Sequence, residues 1–162
     1  YFFWLGSKKN ISLAKKVLWE SIGALATKNY DLQPSQLFSK FTKACSDVIE
    51  IEDLNSISID SGVLYRLDID LKNFTTSLAS NGSGYIYEFS IKILEDLSSR
   101  IDKRFQTLTY FGFSKIELRK FIFGSLPEGV DRIVPFGQAL DMSEKWDGFD
   151  LPRKLSRFVE IR

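Results

Sequence analysis

Histidine is absent from the 162 residues and cysteine occurs once, at Cys45. Together these facts exclude Ser-His-Asp and Cys-His nucleophile pairs, histidine-based zinc sites and thiolate clusters within this sequence, so no metal set is expected. Carboxylate, lysine or tyrosine chemistry remains, or a site completed by residues outside the sequence. Cys45 lies between Phe41 and Val48 in an apolar helical stripe. That spacing predicts a small core residue, because an activated thiol needs a cation, a base or a helix N-terminus beside it. Asn81-Gly82-Ser83-Gly84 has the composition of a backbone nest for phosphate, but it opens onto a strand where dinucleotide loops open onto a helix, and a plain turn accounts for it.

The stretch from Asp131 to Gln138 is a better candidate. A strand ending in Pro135-Phe136-Gly137 bends the backbone at the carboxyl edge of a sheet, where α/β folds bind ligands. Gly137 permits close approach or positive φ, and Gln138 offers an amide donor and acceptor. Periodicity alone favours a strand-to-loop exit in which Asp131 and Arg132 form a surface ion pair. Trp146-Asp147-Gly148-Phe149-Asp150 reads as a loop with an aromatic near each end. An apolar acyl chain could lie against Trp146 and Phe149, or the two rings could pin the C-terminal tail to the core. A carboxylate-dependent site using Asp131 and Asp147 is a weaker alternative, since no helical or strand spacing brings the two together.

The elements that position these residues follow from periodicity. Tyr1–Leu5 is an apolar run ended by Gly6, which predicts a buried strand. A helix comes next, capped by Ser7 or Asn10, with Ile11, Ala14, Val17, Leu18, Ile22 and Leu25 at helical spacing and Lys8, Lys9, Lys15 and Lys16 on a solvated face. A second helix opens at Pro34, with Leu37, Phe38, Phe41, Cys45, Val48 and Ile49 as its apolar stripe. Strands are predicted around a turn at Ser61-Gly62, and a loop from Asn73 to Gly84. Further on come a strand at Tyr85–Ile93, a short helix at Leu94–Arg104 and a strand at Thr107–Phe111. A helix with a Ser114/Glu117 capping box runs to Phe123, then a strand at Arg132–Phe136, and Leu155–Ile161 reads as an edge strand in preference to a helix remnant. Alternating strands and helices predict an α/β class, a mainly parallel sheet flanked by helices, and the length predicts one domain over residues 1–162.

Composition narrows the partners. A net charge of +1 gives nucleic acid no basic field to hold. No apolar run reaches the roughly 20 residues of a membrane span. One cysteine fits a reducing compartment, and a cytoplasmic location is expected.

The run Gly129-Val130-Asp131-Arg132-Ile133-Val134-Pro135-Phe136-Gly137-Gln138-Ala139-Leu140-Asp141, followed by Trp146-Asp147-Gly148-Phe149-Asp150-Leu151, resembles the C-terminal signature of acyl-CoA reductases of the bacterial luminescence type (the LuxC family), a branch of the aldehyde dehydrogenase superfamily. Phe105-Gln106-Thr107-Leu108-Thr109-Tyr110-Phe111-Gly112 adds to the likeness. The resemblance implies an aldehyde-dehydrogenase-like catalytic domain that forms the C-terminal part of a larger enzyme. The nucleophilic cysteine would lie just before Tyr1 and the nucleotide-binding part further upstream, so this chain would hold no catalytic residue and be inactive alone. The opening Tyr1-Phe2-Phe3-Trp4-Leu5-Gly6, which reads like the interior of a larger fold, agrees with that expectation.

In that superfamily a Pro-Phe-Gly-Gly loop lies near the active site. Pro135, Phe136 and Gly137 resemble it, with Gln138 in place of the second glycine. The glutamate that holds the nicotinamide ribose has no clear match; the nearest stretch by order is Gly84–Glu88. The implied whole-enzyme reaction is attack of a cysteine thiolate on an acyl-CoA or acyl-protein thioester, which releases the departing thiol and leaves an acyl-enzyme; hydride from NADPH then reduces that thioester to a thiohemiacetal, which collapses to a fatty aldehyde and frees the cysteine. Relatives work beside acyl-transferase or acyl-protein synthetase partners, and a homo-oligomer is a further expectation. The alternative is a non-catalytic α/β binding or assembly domain of the same fold.

Overall fold

The computed structural model describes residues 1–78 and 82–162. They group into two compact units, Tyr1–Asp96 and Leu97–Arg162.

The first unit is three layers deep. Strands β1 (Phe2–Leu5), β2 (Leu54–Asp60), β3 (Leu64–Ile69) and β4 (Tyr85–Ile91) form one sheet in the order β1-β4-β3-β2. The β1/β4 and β3/β4 ladders are parallel, and β2/β3 is the antiparallel hairpin predicted around Ser61-Gly62. Side chains alternate across a sheet, so β1, β3 and β4 each serve both helices. One face carries Phe3, Tyr65, Leu67, Ile69, Tyr85, Tyr87 and Phe89 and packs on Ala44 of α2 (Pro34–Glu50). The other carries Phe2, Trp4, Leu64 and Ile86 and packs on Trp19 and Ala26 of α1 (Lys8–Asn29).

Ser7 caps α1, accepting the Asn10 N–H at 3.3 Å, as its position predicts. The lysine face of α1 is only partly solvated. Lys15 turns to the sheet and bridges Asp68 and Glu88, while Val17 and Leu25, predicted core positions, are exposed.

Pro34 opens α2, but the helix presents the unexpected side to the sheet. Its buried residues are Lys40, Ala44 and Asp47. The Lys40 ammonium donates to the carbonyls of Gly62 at 2.9 Å and Val63 at 2.7 Å and lies 5.1 Å from the Tyr65 ring centre. Asp47 accepts the hydroxyls of Tyr85 at 2.7 Å and Tyr87 at 2.8 Å and pairs with Lys43. With each buried polar group hydrogen-bonded, burial of this face costs little. The apolar stripe therefore points outward, and Cys45 is exposed rather than a core residue.

The second unit holds the parallel pair β5 (Thr107–Tyr110) and β6 (Arg132–Pro135), with α3 (Lys115–Ser125) between them in the chain. The predicted capping box of α3 is formed: Glu117 N–H donates to Ser114 Oγ, and Ser114 N–H donates to the Glu117 carboxylate at 2.7 Å. Leu118 and Phe121 are its buried residues. A tight hairpin, β7 (Lys145–Trp146) and β8 (Phe149–Asp150), precedes the short helix α4 (Leu151–Leu155).

The α/β class holds, and its strands divide among three sheets rather than one. Leu94–Arg104 and Leu155–Ile161 depart from the predicted elements. Leu94–Arg104 is a single 3₁₀ turn at Leu94–Leu97 followed by irregular chain, because Asp96 takes the N–H groups of Lys92 and Ile93, and Asp102 takes that of Arg104. The edge strand at Leu155–Ile161 does not form. Asp150 caps α4 by accepting the Arg153 N–H, Pro152 sits in the first turn, and residues 156–162 have no regular structure.

Candidate functional site

The predicted loop begins where β6 ends. Phe136 N–H donates to the Tyr110 carbonyl at 2.9 Å, extending the β5/β6 register by one bond. The chain then turns: Gln138 N–H donates to the Pro135 carbonyl at 3.1 Å, and Gly137 adopts φ +90°. That left-handed backbone suits glycine, and a Cβ built there would meet nothing within 4 Å, so one side of the turn is open. Phe136 stands beside it, 44% exposed. A backbone turn with an open flank and a half-exposed ring can receive an apolar ligand at the carboxyl end of a parallel strand.

Arg132 organises the segment beyond this turn. Its guanidinium donates to the carbonyls of Ala139 at 3.1 Å and Asp141 at 2.9 Å, and its Cζ lies 4.2 Å from the Trp146 ring centre. The side chain thus fixes the backbone after Gln138 and holds Trp146 against β6 by a cation–π contact. These partners replace the surface ion pair with Asp131 that the sequence suggested. Trp146 and Phe149 are cross-strand partners of the β7/β8 hairpin around the Asp147-Gly148 turn, where the sequence suggested a loop. Phe149 is exposed, with the Lys154 ammonium 5.3 Å from its ring centre. The Asp131 carboxylate packs on Gly148, adjacent in sequence to Asp147.

Sequence reasoning missed the polar cluster of the first unit. Glu88 is 2% exposed on β4 and accepts the Trp4 indole N–H at 2.8 Å, with Lys15 at 2.9 Å and Arg66 at 3.4 Å. Arg66 also binds Asp60 at 2.8 Å. Burial works to lower the Lys15 pKa, but its hydrogen bonds to Asp68 and Glu88 outweigh burial and hold it above the ordinary lysine range. The sequence sign was Glu88, a charged residue in the middle of a largely apolar and aromatic strand. A groove of about 700 Å³ lined by Lys15, Trp19, Gly23, Lys28, Asp60 and Arg66 opens beside α1. Two of its cations, Lys15 and Arg66, are already paired with Asp68, Glu88 and Asp60.

Asn81 of the Asn81–Gly84 turn lies outside the described residues. Of the rest, Ser83 Oγ accepts from the Gln36 amide at 3.2 Å, and β4 starts directly after Gly84. On α2, exposed Cys45 has Lys40 and Lys43 committed to other partners. Among the described residues no three histidine, cysteine or carboxylate side chains form a metal-binding group, and no helix is long and apolar enough to cross a membrane. No protein-family model, curated protein or solved structure matches the chain.

Proposed function

We propose that this chain is the C-terminal catalytic-type part of a fatty acyl-CoA reductase, contributing the acyl-side wall of a thioester-reducing site. The observation that carries the proposal is the turn Pro135-Phe136-Gly137-Gln138. The residues of the resemblance stand at the carboxyl end of parallel strand β6, with an open flank at Gly137 and Arg132 bracing the chain beyond it. On this reading Phe136, Trp146 and Phe149 exclude water from an acyl chain, and the Gly137 turn lets the thioester approach the backbone.

The residues present do not fit a dinucleotide cradle. The sequence contains no Gly-x-Gly-x-x-Gly run, so NADPH binding is not assigned to this chain. The nucleophilic cysteine is likewise assigned to a preceding segment, as the resemblance implies.

The test is acyl-CoA-dependent aldehyde formation by the polypeptide of the whole reading frame. Turnover is expected, with kcat/KM falling about tenfold to a hundredfold in Phe136→Ala and Gly137→Val, a loss of roughly 1.4–2.7 kcal/mol of transition-state stabilisation. Without NADPH, a labelled acyl group should remain on the protein as a hydroxylamine-sensitive thioester. Failure to form that thioester, or turnover by residues 1–162 alone, overturns the proposal.

A further inference from the structure

The outward face of α2 calls for a partner. Phe38, Phe41, Cys45 and Val48 succeed one another at spacings of three, four and three, flanked by Leu37 and Ile49. Phe38 is 70% and Ile49 84% exposed, and Leu37, Phe41 and Val48 are also exposed. The face that anchors the helix, Lys40, Ala44 and Asp47, lies about 110° away around the axis at about 100° per residue. The sheet therefore cannot cover the stripe without giving up the bonds of Lys40 and Asp47.

We infer that this stripe is a self-association surface, on which a second copy of the chain packs its own α2. Three observations favour that occupant. Spacings of three and four are those of a seam between like helices, in which each ring or branched side chain enters a hole on the facing helix. The stripe bears no charge: Lys40 and Asp47 point inward, Lys43 pairs with Asp47, and Glu50 at the helix end accepts from Ser46, so two copies meet without like-charge repulsion. The exposed apolar area is roughly 600 Å² per copy, or about 1,200 Å² for two, the lower bound of a specific interface. A lipid surface is disfavoured because hydroxyl residues (Ser35, Ser39, Thr42 and Ser46) flank the stripe instead of the lysines and arginines of a membrane-lying helix. The inference is independent of the reductase proposal.

The experiment uses residues 1–162 in analytical ultracentrifugation over a concentration series, with Phe41→Glu and Phe38→Glu as variants. Both positions are exposed, so the variants should keep the parent's circular dichroism. A monomer–dimer equilibrium is expected, its dissociation constant rising at least tenfold in each variant. Because the chain has one cysteine, a bis-maleimide can join two chains only through Cys45, and it should yield a covalent dimer from the parent but not from Phe41→Glu. A parent that stays monomeric at tens of micromolar, a dimer indifferent to both substitutions, or a Cys45 that reacts with mono-maleimide yet never cross-links, would each overturn the inference. Association with a different protein through the stripe, in place of self-association, would overturn it too.

Discussion

Tyr85 and Tyr87 show how a single acceptor sets the behaviour of its neighbours. Both hydroxyls donate to the same Asp47 oxygen. Burial, then the bond to Asp47 and the negative charge of its carboxylate, push both phenols far above the ordinary value of 10.0. A raised folded-state pKa contributes stability that is complete below the unfolded value and disappears as pH climbs toward the folded one. Lys15, raised above 10.5, acts in the same direction. Stability should therefore fall from about pH 10 upward. In an alkaline absorbance titration, two of the six tyrosines should stay protonated until circular dichroism reports unfolding. Full ionisation of all six while the fold persists would contradict the Asp47 geometry. At the same scale, Gly129 is a point of backbone contact: a Cβ there would come within 1.7 Å of the Asp102 carbonyl oxygen. No rotamer relieves a backbone clash, so Gly129→Ala should destabilise the second unit by more than about 3 kcal/mol, measured by denaturant unfolding.

Elements were legible in proportion to how local their signals are. Ser7 and the Ser114/Glu117 pair mark helix starts through bonds made within three residues, Pro34 does so through its fixed φ, and each opens a helix in the structure. The Ser61-Gly62 turn gave the β2/β3 hairpin for the same reason. Orientation was not legible. The apolar stripe of α2 was plain in its spacing, but periodicity says only that a face is apolar and not what covers it. What turns the helix is the pairing of Lys40 with two carbonyls at Gly62 and Val63 and of Asp47 with two tyrosines some forty residues away in sequence. The candidate site divides the same way: the bend at Pro135-Phe136-Gly137 could be read from residue types, whereas the reach of Arg132 to Ala139, Asp141 and Trp146 depends on a chain reversal that sequence did not reveal. If Asp47 anchors α2, Asp47→Ala should cost about 3 kcal/mol in urea unfolding, because two buried phenol hydroxyls lose their acceptor. Thr42→Ala, on the exposed side, should change stability by less than about 0.5 kcal/mol.

For the whole molecule, association and stability are linked. Paired α2 stripes exist only while the helices are folded and docked, so dimerisation acts as a ligand of the native state and shifts unfolding by mass action. Each tenfold rise in chain concentration should then add about 1.4 kcal/mol per mole of dimer at 25 °C, and the thermal midpoint should climb with concentration. Phe41→Glu removes a central apolar side chain and places two carboxylates near each other in the dimer. Because Phe41 makes none of the bonds that anchor α2, the variant's midpoint should match that of the dilute parent and stay constant with concentration. Scanning calorimetry of both proteins at concentrations two decades apart separates the outcomes. Converging midpoints at low concentration and diverging ones at high concentration identify a surface used for assembly. A variant that melts lower at every concentration would instead make Phe41 part of the fold's own support.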